Sequence, residues 1–548
     1  MGLCKFVLVC LCSFFALGYA SLNEQYNEAL YLENLSNRHT YASFTFEIDK
    51  KTNKENGYAF SEPNYQFFPL SLARIMKDQK VMDLHVRATK GRWDYGFWKQ
   101  PPDNGLQSGG LGFEVWASFI DDQDLEAWYK LTSQLSGLFC FSSNNIDELN
   151  TYQPLLSFVP SSFTSSHSRY FASLPQESVC TENLSSLLKF LPCKGEAGIA
   201  SLIDSHLLFD TDWYSLSIDI APNHPDDLSS MKLIVKIQTV IDVERTNRRK
   251  LGTKFPPPPE FCNDDIANDP LRCLTATYTS SSHTLEDLFH KLPETQCPLS
   301  PSKDDILVKN SPSLVVSYPL EMARDISVPV LPEKRPESPV FIERSLTNSG
   351  NHWVGIISIF TNPSDEAYSI VYFERLPWYA RVYLHTMKIT VNDKPISPLE
   401  FFQDQVYQPL KDRKAGTMIE SRFEIPAHSS VVISYDIEKT TLRLQEYPPD
   451  ANRGYDLPPS IVSVFGKDDV EICQLRTSAL LMFIPTPDFS MPYNVIILTS
   501  TVMALTFGGS FNFLTRRIVP ISELPKSQKP SLLQRLRSKL KRKDRNST

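Results

Sequence analysis

Glycine is scarce in this 548-residue sequence, 20 residues against 40 prolines. There is no glycine-rich phosphate loop, no G-x-S-x-G elbow and no H-E-x-x-H, so the common signatures of nucleotide binding, serine hydrolysis and zinc proteolysis are missing. Gly109-Gly110-Leu111-Gly112 reads as a hairpin turn. There is no C-x-x-C and no zinc-type cysteine spacing, so no metal site is expected. Ten histidines are scattered, and His352 and His385 fall in or beside expected strands, where structural roles dominate. The acids are dispersed, and no paired-carboxylate site can be named. A Cys–His nucleophilic pair is conceivable from the residue types, but no local context supports one. The residues alone call for no cofactor and describe a β-rich, non-enzymatic membrane subunit.

Net positive charge is also missing from most of the chain. The formal net charge is −8, yet from Thr515 onward eleven basic residues face two acids. Without that tail and Lys5, the remainder lies near −18. Such a surface repels nucleic acid, which needs clustered lysine and arginine.

Two long apolar runs bracket this acidic body. Residues 1–20 have the form of a secretory signal: Lys5, the apolar stretch Phe6–Leu17, then small residues at Gly18 and Ala20. Residues 495–514 carry no charge for about the length that crosses a bilayer core, and Arg516 and Arg517 follow directly. The expected topology is a single-pass type I protein with residues 515–548 as a basic cytosolic tail. Thirty-odd polar and basic residues after the span exclude a GPI-attachment signal. Ala504 and Gly508, with hydroxyls at Thr499, Ser500, Thr501, Thr506 and Ser510, suit close packing against other membrane helices. Leu532, Leu533, Leu536 and Leu540 among basic residues fit either a helix on the membrane surface or a disordered tail.

Removing the signal leaves seven cysteines: Cys140, Cys180, Cys193, Cys262, Cys273, Cys297 and Cys473. An odd number on an oxidising side means at least one thiol is free or joined to another chain. Sequons stand at Asn34 and Asn183, which marks both as glycosylation candidates. Asn183 lies three residues after Cys180, making Cys180 a candidate for the odd thiol.

The expected fold is mainly β: β-sandwich-type lumenal domains with a few helices, plus the C-terminal span. An N-terminal β-rich domain covers 21–253, a Pro/Cys-rich insertion or linker 254–312, and a β-sandwich with its juxtamembrane segment 313–494. Residues 22–35 read as an amphipathic helix, as do 124–138 and 181–191. Alternating strands are expected at 42–48, 112–119 and 233–243. In the sandwich they are expected at 355–361, 367–375, 381–391, 419–425 and 430–437.

Before the span, prolines hold Asp488, Ser490 and Asn494 at the boundary between membrane and water. One carboxylate and two hydrogen-bonding groups suit a lipid headgroup bearing a cation and hydroxyls. An ordinary polar linker accounts for the same residues. Tyr447–Gly454 reads as a proline-initiated turn.

Several stretches carry a resemblance: Thr486–Asn494, Glu177-Ser-Val-Cys180, Leu376-Pro-Trp-Tyr-Ala-Arg-Val-Tyr-Leu-His and Tyr447–Gly454. Together with the order of signal, ectodomain, span and tail, they resemble the PIG-T family of GPI transamidase subunits over essentially the whole chain. The resemblance implies residence in the endoplasmic reticulum membrane, in a complex that joins preassembled GPI to the carboxyl end of proproteins. It implies that the nucleophile belongs to a caspase-like partner, PIG-K, and that Cys180 forms the disulfide to it. It also implies that Asn452, Asp488, Ser490 and Asn494 contact the GPI headgroup. Other membrane subunits, GPI lipid and proprotein substrates are the implied partners. An alternative is a glycan-binding or adhesion-type β-sandwich receptor. A third reading makes this chain itself the cysteine transamidase.

Overall fold

A computed structural model describes residues 24–516, except 36–38, 53–56, 62–63, 121–124, 159–167, 225–226, 244, 246–281, 294, 301–305, 312–313, 330–337, 348–349, 448–450, 468 and 487–489. The expected signal, most of the tail, Cys262, Cys273 and Asp488 lie outside the described residues.

The N-terminal strands are β1 (Glu24–Asn34), β2 (His39–Lys51), β3 (Val81–Lys90), β4 (Gly112–Phe119), β5 (Thr151–Tyr152), β6 (Arg169–Leu174), β7 (Trp213–His224) and β8 (Asp227–Asp242). They continue through β9 (His283–Thr284), β10 (Ile306–Ser311), β11 (Leu314–Tyr318) and β12 (Ser327–Val328). Ten of them build one sheet, in the order β11-β10-β1-β2-β8-β7-β3-β4-β6-β5, while β9 and β12 pair separately. All its pairings are antiparallel except β1 with β10.

Of the expected helix 22–35, residues 24–34 are therefore a strand. Tyr26, Glu28, Leu30 and Leu32 alternate inward, and both edges of β1 are hydrogen-bonded, to β2 and β10. Acids of this strand are buried with partners. Glu24 accepts from Lys50 Nζ at 3.0 Å, and Glu33 from Lys309 Nζ at 2.9 Å. Tertiary pairing overrides a weak local periodicity.

Helices cover one face of this sheet. Leu70–Asp78, Leu125–Phe139 and Thr181–Lys189 contribute Met76, Trp128, Leu131, Leu135, Leu184 and Leu187 to its core. The latter two helices match the expected 124–138 and 181–191. Of the expected insertion or linker 254–312, residues 254–281 lie outside the described residues. From residue 282 on, Leu285, Leu288, Phe289 and Cys297 enter the same core, and β10 and β11 extend the sheet.

The second lobe contains β13 (Phe341–Thr347), β14 (Trp353–Asn362), β15 (Tyr368–Leu376), β16 (Ala380–Val391), β17 (Lys394–Ile396), β18 (Asp404–Gln408), β19 (Thr417–Ile425) and β20 (Ser429–Lys439). It ends with β21 (Tyr455–Leu457), β22 (Ile461–Phe465), β23 (Glu471–Arg476) and β24 (Leu480–Met482). Two five-stranded sheets, β13-β14-β20-β16-β17 and β18-β19-β15-β22-β23, enclose Ile356, Phe360, Tyr372, Phe423, Ile433 and Val464. This is the expected sandwich, and each of its five expected strands is present. Buried Arg344 and Glu374 pair across it at 2.7 Å.

The lobes share a core. Trp116, Tyr152 and Phe171 of the first meet Phe373, Met418 and Ile461 of the second. Arg476 Nε donates to Glu114 at 3.1 Å, and the Glu420 carboxylate accepts from the backbone amides of Leu155, Leu156 and Ser157. The described residues up to Pro485 form one compact unit. Residues from Thr486 on form another, whose described part is dominated by the helix Ser490–Thr515.

Candidate functional site

The helix Thr181–Lys189 begins at Cys180, whose extended backbone (φ −119°, ψ 176°) sets the first turn. Asn183 organises that turn. Its Oδ1 accepts from the Cys180 amide at 2.7 Å, satisfying a donor the helix leaves open. Its Nδ2 donates to the Phe139 carbonyl at 2.8 Å, which ties this helix start to the end of Leu125–Phe139. Leu184 and Leu187 anchor the inner face. Asn183 thus holds the Cys180 amide on an anchored helix, while the Cys180 side chain is exposed and not disulfide-bonded.

Partial burial, then a hydrogen bond to the Glu182 carboxylate, push the Cys180 thiol above the ordinary thiol range. Attacking cysteines need the opposite shift, because the thiolate is the nucleophile. The buried thiol of Cys473 is pushed up to about 12 by burial and by Glu471. Cys140 is free and exposed beside the same helix, with Sγ 3.8 Å from Ser186 Oγ. Cys193 pairs with Cys297, a partner that spacing could not reveal because 104 residues separate them. His39, His85 and His428 each face an aspartate.

Both sequon asparagines lie inside the fold. Asn183 is 2% exposed and both ends of its carboxamide are bonded inside the fold. Asn34 is 9% exposed; its Nδ2 donates to the Val328 and Pro329 carbonyls at 3.0 Å, and its Oδ1 accepts from Thr40. The nitrogen that a glycan would occupy is an internal donor at both positions. A sequon reports sequence and not exposure.

Asn452 sits exposed in the one-turn helix Ala451–Arg453. Arg453 pairs with Asp456 at 2.9 Å, and Gly454 takes the left-handed φ of 95° that leads into β21. A Cβ there would stand 3.0 Å from the Met482 carbonyl. Tyr447 donates to the Pro485 carbonyl at 2.8 Å, so the turn is tied to the end of its own unit. In the other unit, Ser490 opens the apolar helix and Asn494 lies exposed in its first turns. Residues 493–515 are long and apolar enough to cross a membrane. Thr499, Thr501 and Thr506 donate to the carbonyls of Val495, Ile497 and Val502. These bonds within the helix leave the hydroxyl oxygens as acceptors.

A mainly β chain with one apolar C-terminal helix and an exposed, unactivated thiol on a fixed backbone has the character of a membrane-anchored assembly component. Residues 7–541 match the family described as "Gpi16 subunit, GPI transamidase component". The GPI transamidase component PIG-T homolog of Schizosaccharomyces pombe is 53% identical, covering 97% of each chain. GPI transamidase component GPI16 of Saccharomyces cerevisiae is 33% identical over 95% of this chain and 93% of its own. The human GPI-anchor transamidase component PIGT is 30% identical over 83% and 84%. The chain belongs to this family of GPI transamidase components. Among solved structures, the collagen-binding domain of a Staphylococcus aureus adhesin aligns with 27% of this chain and 99% of its own, at 13% identity and TM-score 0.19. That likeness carries no functional argument.

Proposed function

We propose that this chain is the non-catalytic organising subunit of the GPI transamidase, held in the endoplasmic reticulum membrane with its body in the lumen. It stabilises the caspase-like catalytic subunit through a disulfide at Cys180 and contributes Asn452, Asp488, Ser490 and Asn494 to binding of the GPI headgroup. The exposed free thiol of Cys180, on a backbone fixed by Asn183, is the observation that supports it most. A tether needs an accessible sulfur on a rigid base, and it acts by raising the effective concentration of a partner. A thiol shifted upward is suited to a lasting link more than to repeated attack.

Non-reducing gels of the native complex test the tether. Cys180→Ser abolishes a mixed-disulfide band and lowers GPI attachment without eliminating it; an unchanged band refutes the assignment. For the headgroup, Asp488→Ala weakens GPI engagement while the subunits still co-purify, and normal GPI attachment in that variant removes Asp488 from the site.

A further inference from the structure

Beyond the thiol and the membrane segment, the first lobe has a cleft with its own chemistry. Alternate residues of a strand share a face. On the β1 face away from Leu30 and Leu32 stand Asn27, Ala29, Tyr31 and Glu33. The register sets Ala29 beside Thr45 and Thr45 beside Lys236, and it sets Tyr31 between Leu307 and Ser43. The segment from Gln100 to Asn104 walls the same space, in which Asp103 and Asn104 both take a left-handed φ of 55°. The ion pair from Lys236 Nζ to Asp103, 2.7 Å, fastens that wall to the sheet. The cavity is about 550 Å³, within the range of small-molecule sites.

Its charges cancel. Glu33 pairs with Lys309 at 2.9 Å, Asp103 with Lys236, and Glu47 with Lys232 at 3.0 Å. Glu28 turns to the core, where Tyr26 and the Ile199 amide donate to it. An ionic ligand therefore meets no surplus charge of opposite sign. What the cleft offers is neutral hydrogen-bonding capacity. Ser43 is 3% exposed and its Oγ has no partner. The amide of Asn27 and the hydroxyl of Thr45 line the floor. The paired carboxylates keep lone pairs for further donors. Tyr31, its hydroxyl 3.1 Å from Glu33, presents an amphipathic ring.

We propose that this cleft binds a neutral oligosaccharide. Vicinal hydroxyls both donate and accept, which matches carboxylates interleaved with amide and hydroxyl groups, and the C–H face of a sugar ring suits Tyr31. The glycan could be carried by a glycolipid or by a glycoprotein. The proposal rests on the cleft alone and not on the tether.

The test uses the full chain purified in its complex, read by saturation-transfer NMR. One arm carries the neutral sugar core of the GPI headgroup, stripped of its lipid and its charged groups, another oligomannose released from an N-glycoprotein. At least one glycan is expected to bind. Ala29→Trp, which fills the floor, abolishes the signal, and Thr45→Val, which removes one hydroxyl at nearly constant volume, weakens it about fivefold. Both variants must co-purify at normal yield with Cys193–Cys297 intact. Binding of only the first glycan assigns a glycolipid ligand, and of only the second a glycoprotein ligand. Silence in both arms at millimolar glycan, equal binding by Ala29→Trp, or displacement by phosphoethanolamine overturns the proposal. Failure of the subunit role is seen separately, as loss of co-purification.

Discussion

The chemistry of single residues separates a tether from a nucleophile. With Glu182 replaced by Gln, Cys180 loses the carboxylate that helps hold its proton, and its pKa falls. Alkylation of the reduced chain by iodoacetamide at fixed neutral pH should then speed up, because the thiolate fraction rises faster than its nucleophilicity falls. The sign follows from the wild-type shift: a raised thiol pKa moves the rise in alkylation rate to higher pH. An unchanged rate profile contradicts that assignment of cause. The sequons give a second expectation. Peptide-N-glycosidase treatment in ¹⁸O-water leaves Asn34 and Asn183 unlabelled, and quantitative labelling at either contradicts their burial. Cys180 was legible in the sequence through an odd cysteine count and a family motif. The burial of Asn183 was not, because a carboxamide that caps a helix and one that carries a sugar look identical as letters.

Among the secondary-structure elements, strong periodicity was readable and pairing was not. The five sandwich strands and the helices Leu125–Phe139 and Thr181–Lys189 have patterns that match their packing. β1 was missed because its acids are neutralised by lysines brought from β2 and β10, information that no local window contains. β10 lies parallel to β1 across more than 270 residues of chain, a pairing that spacing cannot announce. The helix start at Cys180 depends on one side chain. Asn183→Ala leaves the Cys180 amide and the Phe139 carbonyl without their partner and costs about 1–3 kcal/mol. A lower urea midpoint with faster proteolysis near residue 180 is expected; an unaltered midpoint contradicts the bridging role.

The whole molecule depends on bringing distant segments together. Cys193 and Cys297 close a loop across the chain stretch whose middle, 246–281, is not described. Chain-entropy reasoning assigns such a closure about 4–5 kcal/mol. The double replacement Cys193→Ser/Cys297→Ser should lower the urea midpoint of the detergent-solubilised chain, followed by tryptophan fluorescence; an unchanged midpoint shows that the closure is dispensable. The mainly β class and the terminal apolar helix were legible from composition and pattern. The extension of the first sheet past residue 300 was not, because it depends on long-range pairing. The account's central claim concerns what this body holds through Cys180. Mass spectrometry of the native, alkylated, unreduced complex addresses it most directly. The account predicts the Cys180 peptide covalently joined to a cysteine peptide of the catalytic subunit. Recovery of that peptide only as the free alkylated thiol, or paired within this chain, would contradict it.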